Sequence, residues 1–163
     1  LEKHKQKMDE LGWDYTEIDI AGKNEEELKK ELEGYDIVMV EGGNTFYLLK
    51  AVRESGFDRV IKDLIEKGVV YIGASAGSYI ACPSIIMSTW SNTGFDRCGI
   101  TDYTAMNLVP FLIKAHYTPD MKEVLEEKTK DVDYKTRILT DDQAIVVQGD
   151  TIKLLGGGEE III

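Results

Sequence analysis

Residues 73–77 read Gly-Ala-Ser-Ala-Gly, set between an apolar run (69–72, VVYI) and a helix-forming stretch (78–82, SYIAC). A G-x-S-x-G pentad placed as strand, sharp turn and helix narrows the available folds. The turn must lift the Ser75 hydroxyl clear of a sheet, and only small neighbours let the backbone cross itself closely enough. That layout makes Ser75 a candidate nucleophile. It also aims the N–H of Ala76, at the start of a helix, toward any oxyanion forming near Ser75 Oγ.

The chain around the pentad reads as alternating strands and helices. A helical opening (1–11) ends at Gly12, and WDYTEIDI (13–20) alternates as a strand does. Asn24 is placed to cap a helix over residues 25–32. The short apolar run 35–40 is expected as a strand covered on both faces. Helices are expected over 45–54 and 58–67, closed by Gly56 and Gly68, and over 119–130. Residues 83–104 are loop-rich, and 107–114 enters a strand that runs toward His116. A hairpin is expected across 144–155 and a terminal strand at 159–163. This order predicts one α/β domain over residues 1–163, a flavodoxin-like three-layer α/β/α arrangement with a mostly parallel sheet.

Bulk composition excludes several functions. The net charge of −11, from 30 acidic and 19 basic residues, opposes nucleic acid or an anionic membrane as partner. No run approaches the ~20 apolar residues of a membrane span and no secretory signal pattern opens the chain, so a cytoplasmic location is expected. Two separated cysteines, Cys82 and Cys98, and two histidines, His4 and His116, leave no pattern for a metal site, and no cofactor is expected. Cys82, on the presumed elbow helix, reads as a small core residue.

Ligands of parallel sheets sit beyond the carboxyl ends of the strands. Two loops are expected to meet there, 41–44 and 73–77. Gly42 and Gly43 allow close approach, so the Gly43 N–H is a candidate second oxyanion donor. The same glycines also serve to make the turn, with Asn44 capping the next helix or contacting substrate. His116, at the end of an apolar run, is the candidate base for Ser75. Elbow enzymes follow the chain order serine, acid, histidine, which leaves Asp96 and Asp102 as candidate third members, with Glu41 as a candidate from outside that order.

Five blocks in order, GGNTFYLL (42–49), SGFDRVI (55–61), YIGASAGSYIACPSI (71–85), NLVPF (107–111) and AHYTP (115–119), resemble the dipeptidase E and cyanophycinase family of serine peptidases. The resemblance implies a class I glutamine-amidotransferase-like fold, Ser75 as nucleophile, His116 as base, Gly43 and Ala76 as oxyanion donors, no metal, and small peptides as substrates. Three departures stand out. The family's first strand and most of its first helix are expected to be missing, which leaves a strand edge for a partner, a homodimer among the options, to cover. Residues 86–92, where dipeptidase E carries its triad aspartate, hold no carboxylate. The arginine-bearing segment after the histidine is replaced by the acidic PDMKEVLEE (119–127), where Lys122, followed by Lys128, is the only cation, which argues against aspartyl specificity; Arg97 is the cation that could reach in from the loop after the elbow helix. These departures keep a second reading open, a catalytically weak or inactive member acting as a binding module. Glutaminase-type amide hydrolysis is disfavoured because those enzymes carry cysteine at the elbow.

Overall fold

The computed structural model describes residues 2–90 and 94–163; Leu1, Ser91, Asn92 and Thr93, which belong to the segments 1–11, 83–104 and 86–92 read above, lie outside them. Helix α1 (Glu2–Leu11) precedes α2 (Glu25–Glu31), β1 (Ile37–Val40), α3 (Thr45–Ser55), α4 (Phe57–Glu66), β2 (Val70–Gly73) and α5 (Ala76–Ala81). After a 3-10 turn (Ile86–Thr89) come β3 (Leu112–Lys114), α6 (Lys122–Lys128) between two further 3-10 turns, β4 (Thr136–Ile138), and the hairpin β5 (Gln143–Gln148) and β6 (Thr151–Gly156).

Local chemistry accounts for these boundaries. The Asn24 carboxamide accepts the N–H groups of Glu26 and Glu27 while Glu27 reaches back to the Asn24 N–H, a reciprocal cap that starts α2. Gly56, at φ 74°, ends α3 and begins α4 in one residue, a left-handed turn that a side chain would strain. One hydrophobic cluster then joins the elements. Leu28 of α2, Phe46, Leu49 and Val52 of α3, Val60 and Ile61 of α4, Ile80 of α5, Leu112 of β3, Leu125 of α6 and Ile138 of β4 all lie within it.

Strands β1 and β2 pair in parallel with Val40 opposite Gly73. Their carboxyl ends are therefore level, and the loops that leave them start side by side. Strands β3 and β4 form a second parallel pair, and β5 and β6 an antiparallel one. The short helix α5 packs against β1, β2, β3 and α3, so the residue that opens it sits where both parallel pairs meet.

Several expectations are corrected. Among the described residues, pairing divides into three two-stranded units. Residues 13–20 form no strand: Ile18 and Ile20 do pack on the core, yet Trp13 and Tyr15 are exposed and among the described residues no neighbouring strand pairs with the segment. Alternation gave the inward face but cannot supply a partner. The entry to β3 begins at Leu112 because Asn107 takes φ 53° and the chain bends through Pro110. At the carboxyl end a single bridge between Ile161 and Ile138 stands in place of a full strand. The helix expected at 119–130 is regular only over Lys122–Lys128.

Backbone packs on backbone at the pentad. A Cβ placed on Gly77 would overlap the Val40 carbonyl oxygen, and one on Gly73 would lie 2.6 Å from the Gly77 carbonyl oxygen. Gly77→Ala should therefore cost about 1–3 kcal/mol of overpacking strain, read as a lower urea midpoint. An unchanged midpoint would show that the turn has room to spare.

Candidate active site

Ser75 leaves β2 and opens α5 with φ 52° and ψ −112°. A non-glycine residue held there costs about 1–3 kcal/mol, and a ring of hydrogen bonds keeps it in place. The Gly77 N–H donates to the Ala74 carbonyl at 2.9 Å, and the Ser78 and Tyr79 N–H groups donate to the Ser75 carbonyl at 2.9 and 3.1 Å. The Ser78 hydroxyl adds a bond to that carbonyl at 2.6 Å, and the Tyr71 hydroxyl donates to the Gly77 carbonyl at 2.6 Å. Burial raises the Tyr71 phenol above its ordinary range, so it remains a donor.

The loop after β1 leans on the same residue. Gly42 backs onto Ser75 so closely that a Cβ there would lie 3.1 Å from Ser75 Cβ. Gly43, at φ 152°, faces open space. Among the described residues neither the Gly43 N–H nor the Ala76 N–H has a hydrogen-bond partner. Two donors without a partner therefore adjoin Ser75, one in the next residue of the chain and one in the residue after Gly42. Asn44 is used within the protein at both ends of its amide. Its Oδ1 accepts the Tyr47 N–H at 3.0 Å, and its Nδ2 donates to the Phe95 carbonyl at 2.9 Å.

His116 reaches the serine through an irregularity in the second parallel pair. The Leu139 N–H donates to the Lys114 carbonyl at 2.9 Å, but the Leu139 carbonyl accepts from Tyr117, at 3.0 Å. A regular parallel ladder would draw that return bond from residue 116. One residue is therefore looped out, His116 itself at φ 61°, a bulge that re-aims its ring. His116 Nε2 lies 2.9 Å from Ser75 Oγ, and His116 Nδ1 lies 2.6 Å from Asp141 Oδ1.

Asp141 is the member that the sequence reading misses. It leaves the carboxyl end of β4, beside the end of β3 that carries His116. The strand-end rule applied to the TDD turn (140–142) would have found it; the expected order, acid before histidine, hid it. Its loop is braced from behind, since Thr140 N–H donates to Gln143 Oε1 at 3.1 Å and Gln143 Nε2 donates to the Gly157 carbonyl at 2.8 Å. The three acids named from sequence are occupied elsewhere. Asp96 accepts the N–H groups of Cys98, Gly99 and Ile100 at 2.7, 3.0 and 2.6 Å. Asp102 accepts the Thr104 N–H at 2.9 Å and pairs with Arg53 at 3.3 Å; the Thr104 hydrogen bonds, helped by Arg53, lower its pKa. Glu41 meets the other histidine, His4, at 2.8 Å.

Cys82 is fully buried, and burial pushes its thiol up to about 12, so it stays protonated and packs as core. No described helix is long and apolar enough to cross a membrane.

A serine in an elbow, a histidine on its hydroxyl and a carboxylate behind the histidine form the constellation of serine hydrolases. Residues 1–155 match peptidase family S51, and the chain belongs to that family of peptidases. An uncharacterized peptidase of Listeria monocytogenes is 33% identical over 156 residues, covering 93% of this chain and 76% of the relative. Peptidase E of Escherichia coli is 39% identical over 104 residues, 61% of this chain and 42% of the relative. Among solved structures, a candidate peptidase E protein from Listeria monocytogenes superposes with a TM-score of 0.83 at 30% identity, over 96% of this chain and 77% of that one. A peptidase from an acI-B1 actinobacterium shares the fold alone, with a TM-score of 0.60 at 13% identity over 98% of this chain and 73% of that one.

If the Asp141 contact sets the His116 tautomer, Asp141→Asn should lower kcat on the order of 10⁴-fold, while Asp96→Asn and Asp102→Asn stay within about threefold of the parent. Steady-state hydrolysis by the three variants separates them, and an Asp141→Asn enzyme that turns over normally would remove Asp141 from the site.

Proposed function

We propose that the chain is a serine peptidase that hydrolyses short peptides, with Ser75 as nucleophile, His116 as general base, Asp141 as the group that orients it, and the N–H groups of Gly43 and Ala76 as oxyanion donors. The observation that carries this reading is the relay of 2.9 and 2.6 Å from Ser75 Oγ through His116 to Asp141. Family membership supports a serine peptidase acting on peptides, and the likeness to peptidase E supports small ones. The same likeness supports a flavodoxin-like three-layer core.

The geometry suits a two-stage acyl transfer. With Nδ1–H donating to Asp141, His116 Nε2 is free to accept the Ser75 proton as Oγ attacks the scissile carbonyl. The carbonyl oxygen becomes an oxyanion between the Gly43 and Ala76 N–H groups. The imidazolium, stabilised by Asp141, then gives its proton to the leaving amine, the C–N bond breaks, and an acyl-serine remains. Water enters by the same route in reverse: His116 takes its proton, its oxygen attacks the ester, and Ser75 recovers the proton as the acid product departs.

Asp141 weakens the case for an inactive binding module, since that reading rested on a missing acid. Recognition of the substrate remains a matter of the rim. Binding a carboxylate in a partly buried pocket calls for a cation, usually arginine. Residues 119–127 carry four carboxylates against the single cation Lys122, and Arg97 lies two residues beyond Phe95, whose carbonyl Asn44 holds. An enzyme without strong preference for aspartyl peptides follows.

Hydrolysis of Ala-Leu and Asp-Leu by the parent and by Ser75→Ala tests the reading. The parent should cleave both with kcat/KM values within about a hundredfold, or 2.7 kcal/mol, and Ser75→Ala should lose activity on the order of 10⁶-fold. An alanine variant that keeps a tenth of the turnover would exclude Ser75 as nucleophile, and a larger aspartyl preference would assign Arg97 to the pocket.

A further inference from the structure

Lys114 is buried, 3% exposed, on β3. Among the described residues no carboxylate lies within ion-pair distance of it. Its ammonium instead reaches the Tyr79 hydroxyl at 3.3 Å and the Ala115 carbonyl at 3.2 Å, off the hydroxyl end of the Tyr79 ring and 5.7 Å from its centroid. The Tyr79 hydroxyl donates to the same Ala115 carbonyl at 3.4 Å. An apolar residue of similar length would fill this place more cheaply, because a buried cation without a counter-charge must be desolvated. Burial accordingly lowers the Lys114 pKa.

The location of the shared carbonyl suggests what the lysine is for. It belongs to the peptide that enters His116, and the Ala115 carbonyl carbon defines the φ of that residue. His116 sits at φ 61°, a conformation that a non-glycine residue leaves unless its surroundings hold it. Tyr79 lies on α5, and its own N–H donates to the Ser75 carbonyl at 3.1 Å. The clamp therefore runs from the elbow helix to the histidine strand and ties the two partners of the 2.9 Å contact together.

We propose that Lys114 and Tyr79 are positioning residues that lock the Ala115–His116 peptide and so hold the His116 ring on Ser75. This rests on the reading of Ser75 and His116 as nucleophile and base, since the position matters for catalysis only there. Both side chains are buried, so neither is open to substrate. Their removal loosens the base and leaves the binding surface intact, so kcat falls and KM does not. A displacement of about 1 Å at a catalytic group is enough for a loss on the order of a hundredfold.

The test uses Tyr79→Phe, which removes one hydroxyl, and Lys114→Met, which keeps the length and removes the donor. Two readouts are taken, dipeptide kinetics and the proton resonance of the His116 Nδ1–H that donates to Asp141. Both variants should lose kcat by about ten- to a hundredfold with KM within about twofold, and the resonance should broaden or vanish. Retention of kcat and of the resonance in both overturns the proposal. So does a joint change in kcat and KM that tracks a lower urea midpoint while the resonance persists, the pattern of a residue that only packs. If Lys114→Met fails to fold, Tyr79→Phe decides alone. A parent that shows the resonance but no hydrolysis contradicts the nucleophile reading, and the fate of the resonance in Tyr79→Phe still decides the clamp.

Discussion

The carbonyl of Val40 accepts the Ala74 N–H at 2.9 Å and lies so close to Gly77 that no side chain fits between them. That crossing of two backbones follows from the level ends of the parallel pair β1 and β2, and the rest of the site follows from the crossing. It turns the chain so sharply that Ser75 must take a positive φ. It brings Gly42 against Ser75, which sets the second loop, with a Gly43 N–H that has no partner among the described residues, beside that serine. It also starts α5 in the one place from which Tyr79 can reach β3.

The second half of the site depends on the other parallel pair. Strands β3 and β4 deliver His116 and Asp141 from neighbouring carboxyl ends, and the looped-out residue converts a ladder position into an aimed side chain. The histidine and aspartate are half-exposed and largely exposed, so their contact contributes little to stability in high-dielectric surroundings. What holds them is their surroundings: the bulge, the Gln143 side chain braced behind Asp141, and the buried side chains of Tyr79 and Lys114 on the peptide before His116. Strained conformations at Ser75 and His116 are offset by those neighbours.

The elbow was the most legible part of the chain because its requirements are local. Glycine at 73 and 77 reports a close backbone approach that the structure shows directly, and Asn24, Asn44 and Gly56 mark helix ends by chemistry contained within a few residues. Pairing was less legible. Residues 13–20 alternate correctly and bury Ile18 and Ile20, yet a strand exists only where a second backbone meets it, which no local pattern reports. Asp141 was hidden for a related reason: its role comes from the register of β4 beside β3, and chain order is a poor guide to spatial order. Asp96 and Asp102, nearer in sequence to the elbow, are held by backbone N–H groups of their own loops.

The central claim is that three strand ends assemble an activated serine. Reaction with a fluorophosphonate followed by peptide mapping tests it whatever the substrate, because only a serine whose proton can be withdrawn reacts at a useful rate. The account predicts a single modified residue, Ser75, with modification abolished in His116→Ala. An intact, folded protein that remains unlabelled, or one labelled at a different residue, would contradict it.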